Sequence, residues 1–257
     1  MLELKNITKI FNPGSVTEMC LFEGFNLAVK KGEFVSVVGS NGSGKTTMLN
    51  IICGSIPVDE GEILINGKDI RKQKEFTRYR TIGRVYQDPS LGTCPHMTIL
   101  ENMSLADNKG KPFGLSGGVN RKRANFYRDQ LASLGLGLED KMNVQVGSLS
   151  GGQRQAVSLL MATMTPLDFL ILDEHTAALD PRTAEIIMEL TDKIVKEKGL
   201  TAIMVTHNLR YAVEYGNRFL MMDKGHIILD QSGEEKASTS IDDILDIFNR
   251  ISIECGN

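Results

Sequence analysis

The chain has 257 residues, 41% of them hydrophobic and 24% charged, which supplies apolar material for a core and excludes a wholly disordered protein. Lysine plus arginine (29) nearly balances aspartate plus glutamate (32), a net charge of −3, so the broad basic footprint usual in nucleic-acid binders is missing. No stretch approaches the roughly 20 apolar residues that cross a bilayer, the opening Met1-Leu2-Glu3-Leu4-Lys5 lacks a signal-peptide pattern, and Cys20, Cys53, Cys94 and Cys255 are scattered without a C-x-x-C pair, as expected of reduced thiols rather than zinc ligands or disulfides.

In chain order, Phe34-Val35-Ser36-Val37-Val38 reads as a strand bounded by glycine, and 46–53 as a helix. Residues 91–148 are less regular, with a glycine- and lysine-rich loop at 108–118 and the basic run Arg121-Lys122-Arg123. Ser150 can cap a helix whose apolar face is Ala156, Leu159, Leu160 and Met164, with Pro166 beyond its end. Phe169-Leu170-Ile171-Leu172 and Thr201-Ala202-Ile203-Met204-Val205 are continuous apolar runs, as suits strands covered on both faces. Between them Asp180 as N-cap, Pro181 at the first helical position, the stripe Ile186, Ile187, Leu190, Ile194, Val195 and a terminating Gly199 predict a helix. Arg218-Phe219-Leu220-Met221-Met222 and His226-Ile227-Ile228-Leu229 flank Asp223-Lys224-Gly225, a hairpin signal. Residues 232–240 read as a polar linker, and Ile241, Ile244, Leu245 and Phe248 as an amphipathic stripe packed on the domain. The alternation predicts an α/β fold with a mostly parallel sheet. The basic stretches 71–84 and 121–128 read first as solvated faces, and otherwise, in part, as a contact surface.

Gly39, Ser40, Asn41, Gly42, Ser43, Gly44, Lys45 and Thr46 fit G-x-x-x-x-G-K-[ST], with a strand before and a helix after. Glycines let backbone N–H groups turn inward as an anion nest at the positive end of the helix. Lys45 is placed to reach β- and γ-phosphates and the Thr46 hydroxyl to ligate Mg²⁺, so ATP and Mg²⁺ are the expected ligands. Asp173, at the end of the second apolar run, is the natural carboxylate for that Mg²⁺, and Glu174 is placed to polarise an attacking water.

Leu149-Ser150-Gly151-Gly152-Gln153 gives a second helix N-terminus with flanking glycines. Here the sequence resembles the ATP-binding cassette (ABC) ATPases, whose signature is LSGGQ. The resemblance covers about residues 2–230. It implies a P-loop NTPase (RecA-like) core (1–90 and 158–230) with a mostly parallel sheet, an N-terminal antiparallel β-subdomain and an α-helical signature subdomain (about 91–157), with a linker and C-terminal helix at 231–257. It makes Ser150, Gly151, Gly152 and Gln153 contacts to a nucleotide held by the partner of a head-to-tail homodimer, and adds Thr47 to the phosphate contacts. Gln87, in Val85-Tyr86-Gln87, matches the glutamine that touches Mg²⁺ and water. Asp180 matches the loop at the dimer interface, and His207 the histidine that senses the γ-phosphate. Phe11 lies about where the adenine-stacking aromatic falls, before an apparent insertion at 12–17, and a plain packing role is its alternative. Leu115-Ser116-Gly117-Gly118 also spells LSGG but lacks the glutamine and lies 57 residues before Asp173, counted from Ser116, so it reads as a surface loop.

The resemblance implies an ATPase subunit peripheral to the cytoplasmic face of a membrane, working with integral permease subunits and, indirectly, an extracytoplasmic binding protein. One cassette without a span of its own suits an importer, and the branch it resembles has binding proteins proposed for tryptophan and other aromatic amino acids. An exporter is the open alternative for direction. A soluble ABC mechanoenzyme acting on DNA or ribosomes is a second reading; its usual coiled-coil arm, zinc cysteines or paired cassette are not seen. A third, a nucleotide-binding regulator, would lack Glu174 or His207.

Overall fold

The computed structural model describes residues 1–112, 114 and 117–254, with side chains to Phe248. Cys255 and the Leu115-Ser116 part of the second LSGG lie outside the described residues. The chain divides into two compact units, residues 1–72 with 201–257, and residues 73–200.

The first unit opens with β1 (Leu2–Phe11) and β2 (Met19–Val29), a long antiparallel hairpin. Its tip at 12–18 is a solvent-exposed turn with Val16 fully exposed, where the insertion was expected. β3 (Phe34–Gly39) follows, and all six of its residues are buried. The Ser36 hydroxyl meets its need for a partner by donating to the Tyr215 carbonyl at 2.9 Å. Next come α1 (Lys45–Cys53), β4 (Glu60–Ile65) and β5 (Lys68–Asp69), which complete an antiparallel sheet in the order β2-β1-β4-β5.

The second unit runs α2 (Glu75–Arg78), β6 (Ile82–Val85), α3 (Ile99–Asp107), α4 (Ala124–Ala132), α5 (Gly151–Ala162), β7 (Phe169–Asp173) and α6 (Pro181–Glu197). β6 and β7 are parallel, with Val85 opposite Leu172. Asp180 caps α6 by accepting from the Thr183 N–H, and Pro181 opens it, as the sequence predicts. Of the apolar stripe, Ile187, Leu190, Ile194 and Val195 are buried, but Ile186 is 41% exposed. The stripe is one position narrower than expected.

The chain then returns to the first unit with β8 (Ala202–Val205), α7 (Leu209–Glu214), β9 (Arg218–Asp223), β10 (His226–Ser232), α8 (Glu234–Ser238) and α9 (Ile241–Glu254). β3 lies between β8 and β9, parallel to both, and β10 closes the expected hairpin on β9. Residues 232–240 differ from the linker reading because they hold α8. Lys236 there is 5% exposed, and its ammonium donates to the Tyr215 and Gly216 carbonyls, so a residue type that marks solvent in sequence docks the segment. In α9 Ile244 is fully buried with Val38, Phe219 and Met221, and Ile247 and Phe248 pack around it, while Ile241 and Leu245 are exposed.

The basic stretch 71–84 also departs from a solvated face. Arg78 is 5% exposed and the Arg84 side chain 7% exposed.

Candidate nucleotide site

In the first unit, β3 delivers the phosphate loop and β8 delivers His207 from the same sheet end. The parallel register sets Val37 opposite Val205, and the Thr206 N–H donates to the Val37 carbonyl at 3.2 Å. Asn208 caps α7 immediately afterwards and fixes where the exposed His207 leaves the sheet.

Two contacts brace the loop from the β9–β10 turn: Ser40 Oγ donates to Asp223 Oδ1 at 3.0 Å, and the Gly225 N–H to the Ser43 carbonyl at 3.0 Å. A side chain at Gly39 would put its Cβ 2.2 Å from the Met222 carbonyl oxygen, so only glycine lets the chain turn there. Phe22 of β2 packs on Gly44, bringing the antiparallel sheet to the loop.

Lys45 is 5% exposed and aims into the loop. Its ammonium donates to the Gly39 carbonyl at 2.8 Å, the Ser40 carbonyl at 2.9 Å and Ser43 Oγ at 3.3 Å. Helix α1 starts at this lysine with Gly44 as its cap, no side-chain cap and no acidic residue in its first turn. A buried ammonium, a positive helix end and no acidic side chain in that turn fit a polyphosphate. Asn41, Gly42 and Thr46 are exposed and Thr47 is half-buried. Phe11 ends β1 half-buried, with Lys9 Nζ 5.5 Å from its ring centroid.

In the second unit the parallel register brings Gln87, just past β6, and Asp173-Glu174, at the end of β7, to one strand end. Gln87 is exposed, and the preceding Tyr86 carbonyl is held by Gln155 Nε2 of α5 at 3.0 Å. The segment after β6 is thereby tied to the signature helix. Glu174 adopts φ +49°, a conformation L side chains rarely take, and its carbonyl accepts from the Ala177 N–H in a tight turn. Strain of this kind concentrates where a side chain must be presented rather than packed.

The next residue holds that turn in place. His175 is 2% exposed, and its Nε2 lies 3.0 Å from Thr191 Oγ1 on α6. Thr191 donates its own proton to the Ile187 carbonyl at 2.7 Å, so it accepts from His175, which puts the imidazole proton on Nε2. Burial lowers the His175 pKa from 6.5 to about 4. Below pH 6.5 the unfolded chain therefore takes up a proton that the folded chain refuses. The stabilisation is complete above that pH and is lost as pH falls toward 4, by about 2 kcal/mol at pH 5. Urea unfolding at pH 7.5 and pH 5 checks this, and His175→Gln is expected to flatten that part of the dependence.

At the signature, Ser150 caps α5 and forms a reciprocal capping box with Gln153. Ser150 is exposed and Gly151 half-buried, whereas Gly152 is buried. A Cβ at Gly152 would lie 2.2 Å from Thr183 Cγ2, so this glycine also permits the close approach of α5 to α6. Asp180, exposed at the start of α6, has its carboxyl pKa lowered by the hydrogen bonds from Thr183.

Two residues near the carboxylates escape sequence reasoning. His175 looks like a loop histidine, and Arg84 like part of a solvated basic run. Arg84 instead donates to Asp173 Oδ2 at 2.6 Å, with its guanidinium 4.7 Å from the centre of the Tyr86 ring. Nothing local in the sequence signals either contact.

A glycine-rich loop between a buried parallel strand and an uncapped helix places the chain among the phosphate-loop NTPases. A family model described as ABC transporter matches residues 22–177. The chain is 45% identical over 248 residues to a tyrosine transport ATP-binding protein of Clostridioides difficile, covering 96% of this chain and 98% of that one. It is 30% identical over 254 residues to a phosphonates import ATP-binding protein of Lactococcus lactis, covering 95% and 98%. Among solved structures it resembles a dimeric ATP-binding cassette in a post-hydrolysis state bound to ADP and Pi, at 33% identity and a TM-score of 0.75, over 90% of this chain and 98% of that one. The chain belongs to the ABC transporter ATP-binding family, and it is an ATPase.

Proposed function

We propose that this chain is the peripheral ATPase subunit of an importer for an aromatic amino acid of the tyrosine type, working as a homodimer with integral permease subunits and an extracytoplasmic binding protein. The observation that carries the importer and cargo reading is the 45% identity, over nearly the whole of both chains, to a tyrosine transport ATP-binding protein. The cassette structure it resembles is a dimer. No helix among the described residues is long and apolar enough to cross a membrane, and translocation is assigned to the permease subunits. No residue of this chain is read as touching the cargo.

Lys45, the phosphate loop and Thr47 bind and orient the ATP phosphates, with Phe11 against adenine. Thr46, Gln87 and Asp173 offer a hydroxyl, an amide oxygen and a carboxylate, the all-oxygen donor set that suits Mg²⁺. Mg²⁺ held by these groups would supply charge neutralisation on the phosphates. Glu174 accepts a proton from the attacking water, and His207 donates to the γ-phosphate. Ser150, Gly151, Gly152 and Gln153 close on the nucleotide of the partner copy, with Asp180 at the same interface. Closure thus follows occupancy by ATP, and loss of the γ-phosphate releases it.

The permease is proposed to dock at a cavity of about 590 Å³ in the second unit, lined by Phe76, Tyr79, Leu105 and Met161 together with Arg80 and Lys109. Phe76 and Leu105 are 64% and 47% exposed, more than apolar side chains of this size usually are. Burial lowers the Lys109 pKa to about 8, and its ammonium donates to the Ile82 carbonyl at 3.0 Å. An amine-reactive reagent at pH 8 is expected to label Lys109, and mass spectrometry should show that label lost when the permease is bound. Equal labelling with and without permease would place docking elsewhere.

The function itself is tested by tagging the chain, solubilising native membranes gently and identifying what co-purifies. A stoichiometric multi-span protein is expected, and vesicles holding the complex should accumulate tyrosine in an ATP-dependent way when the binding protein is added. Recovery only with ribosomes or DNA would refute the transport reading.

A further inference from the structure

Arg84 lies inside β6, opposite Ile171 in the parallel register, and its guanidinium reaches along the strand to Asp173. Both partners are largely withdrawn from water, the Arg84 side chain 7% and the Asp173 side chain 15% exposed. Burying such a pair costs solvation on both sides, and it stabilises a fold no better than apolar residues of the same volume. Stability alone is therefore a poor reason for an arginine at this strand position. The arginine is also oriented, because its guanidinium lies over the Tyr86 ring and a planar fork held in this way aims its N–H groups in fixed directions. The ion pair engages one carboxylate oxygen, Oδ2.

We infer that Arg84 is a positioning residue of the ATPase site: it sets the direction of the Asp173 carboxylate and moderates the negative charge that carboxylate presents to the divalent cation. The inference rests on Asp173 as the cation's carboxylate, proposed above. A cationic side chain on one oxygen repels a dication attracted to the same group. Removing that charge should tighten metal binding at least about tenfold, the least that a unit charge and a dication a few ångströms apart give even at the dielectric of water. Removing the fixed direction should slow turnover, since misaligned groups lose the benefit of preorganisation.

The test uses the purified full chain and a fluorescent ATP analogue, titrated with Mg²⁺, for wild type, Arg84→Gln and Arg84→Lys. Glutamine keeps an N–H donor without charge; lysine keeps the charge without the planar fork. In EDTA all three are expected to bind the analogue equally. With Mg²⁺, the half-effective metal concentration should fall at least about tenfold in Arg84→Gln and stay near wild type in Arg84→Lys, while kcat for ATP falls in both at unchanged KM. An unchanged magnesium titration in Arg84→Gln overturns the inference, as does the same shift in Arg84→Lys. If the glutamine variant does not fold by circular dichroism, the lysine variant decides, and wild-type kcat in it removes the positioning role. Wild type that binds no analogue in either condition refutes the site assignment itself rather than the role of Arg84 alone.

Discussion

Glu174→Gln is expected to lower ATP hydrolysis by at least about 100-fold, the contribution typical of a positioned general base, while leaving ATP binding intact. The reason for a clean effect is structural. Glu174 stands at φ +49° in a turn closed by the Ala177 N–H, and glutamine bears the same backbone cost with the same side-chain volume. The turn is also anchored from the next residue, through His175 to Thr191 of α6. The substitution removes the ability to take a proton from water. If ATP holds two copies together and hydrolysis releases them, the variant should accumulate as a dimer in ATP and Mg²⁺. Light scattering reads the outcome directly. A variant that stays monomeric at saturating ATP would rule out the sandwich, and one that hydrolyses ATP at the wild-type rate would remove Glu174 from the chemistry.

Lys45→Ala acts earlier in the cycle. Charge-assisted hydrogen bonds are worth about 1.5–3 kcal/mol each, so losing the ammonium should weaken ATP binding by on the order of 100-fold or more. The substitution also leaves the Gly39 and Ser40 carbonyls and Ser43 Oγ without the donor they share, and the loop itself should loosen. The brace from Ser40 to Asp223 and from Gly225 to Ser43 remains, so the fold is expected to survive with a modest fall in melting temperature. Equilibrium binding of a fluorescent ATP analogue, with circular dichroism as the control for folding, separates the two effects. Near-normal affinity in a folded variant would mean that the phosphates are held by the backbone nest alone.

These two substitutions also divide the cycle by unit. Lys45 belongs to the unit that contains β3 and β8, and Glu174 to the unit that contains β6 and β7. A binding defect in one and a turnover defect in the other is the pattern that the residue placements lead one to expect.

Much of this was legible in the sequence, and for an identifiable reason. The phosphate loop, the β7 carboxylates and the caps of α5 and α6 are local patterns: a strand run, a turn with its glycines, a helix period and a capping residue all lie within about ten positions of one another. Hydrogen bonding and side-chain entropy act at that range, so Asp180, Pro181 and Ser150 could be assigned to helix starts before any tertiary contact was known. The hairpin of β9 and β10 was readable for the same reason.

Tertiary packing decided the rest. Arg84 reaches Asp173 across 89 positions, and Ser40 reaches Asp223 across 183. A basic residue reads as solvated because most arginines and lysines are, so the burial of Arg78, Arg84 and Lys236 could come only from the sheet and helices that close around them. Ile186 sits in the predicted stripe yet faces solvent, because a periodic pattern fixes which side of a helix is apolar but not how wide a surface the neighbours will cover. Local interactions named the site's chemistry; long-range burial and pairing chose which carboxylate is held by an arginine, which loop is braced, and which histidine stays neutral.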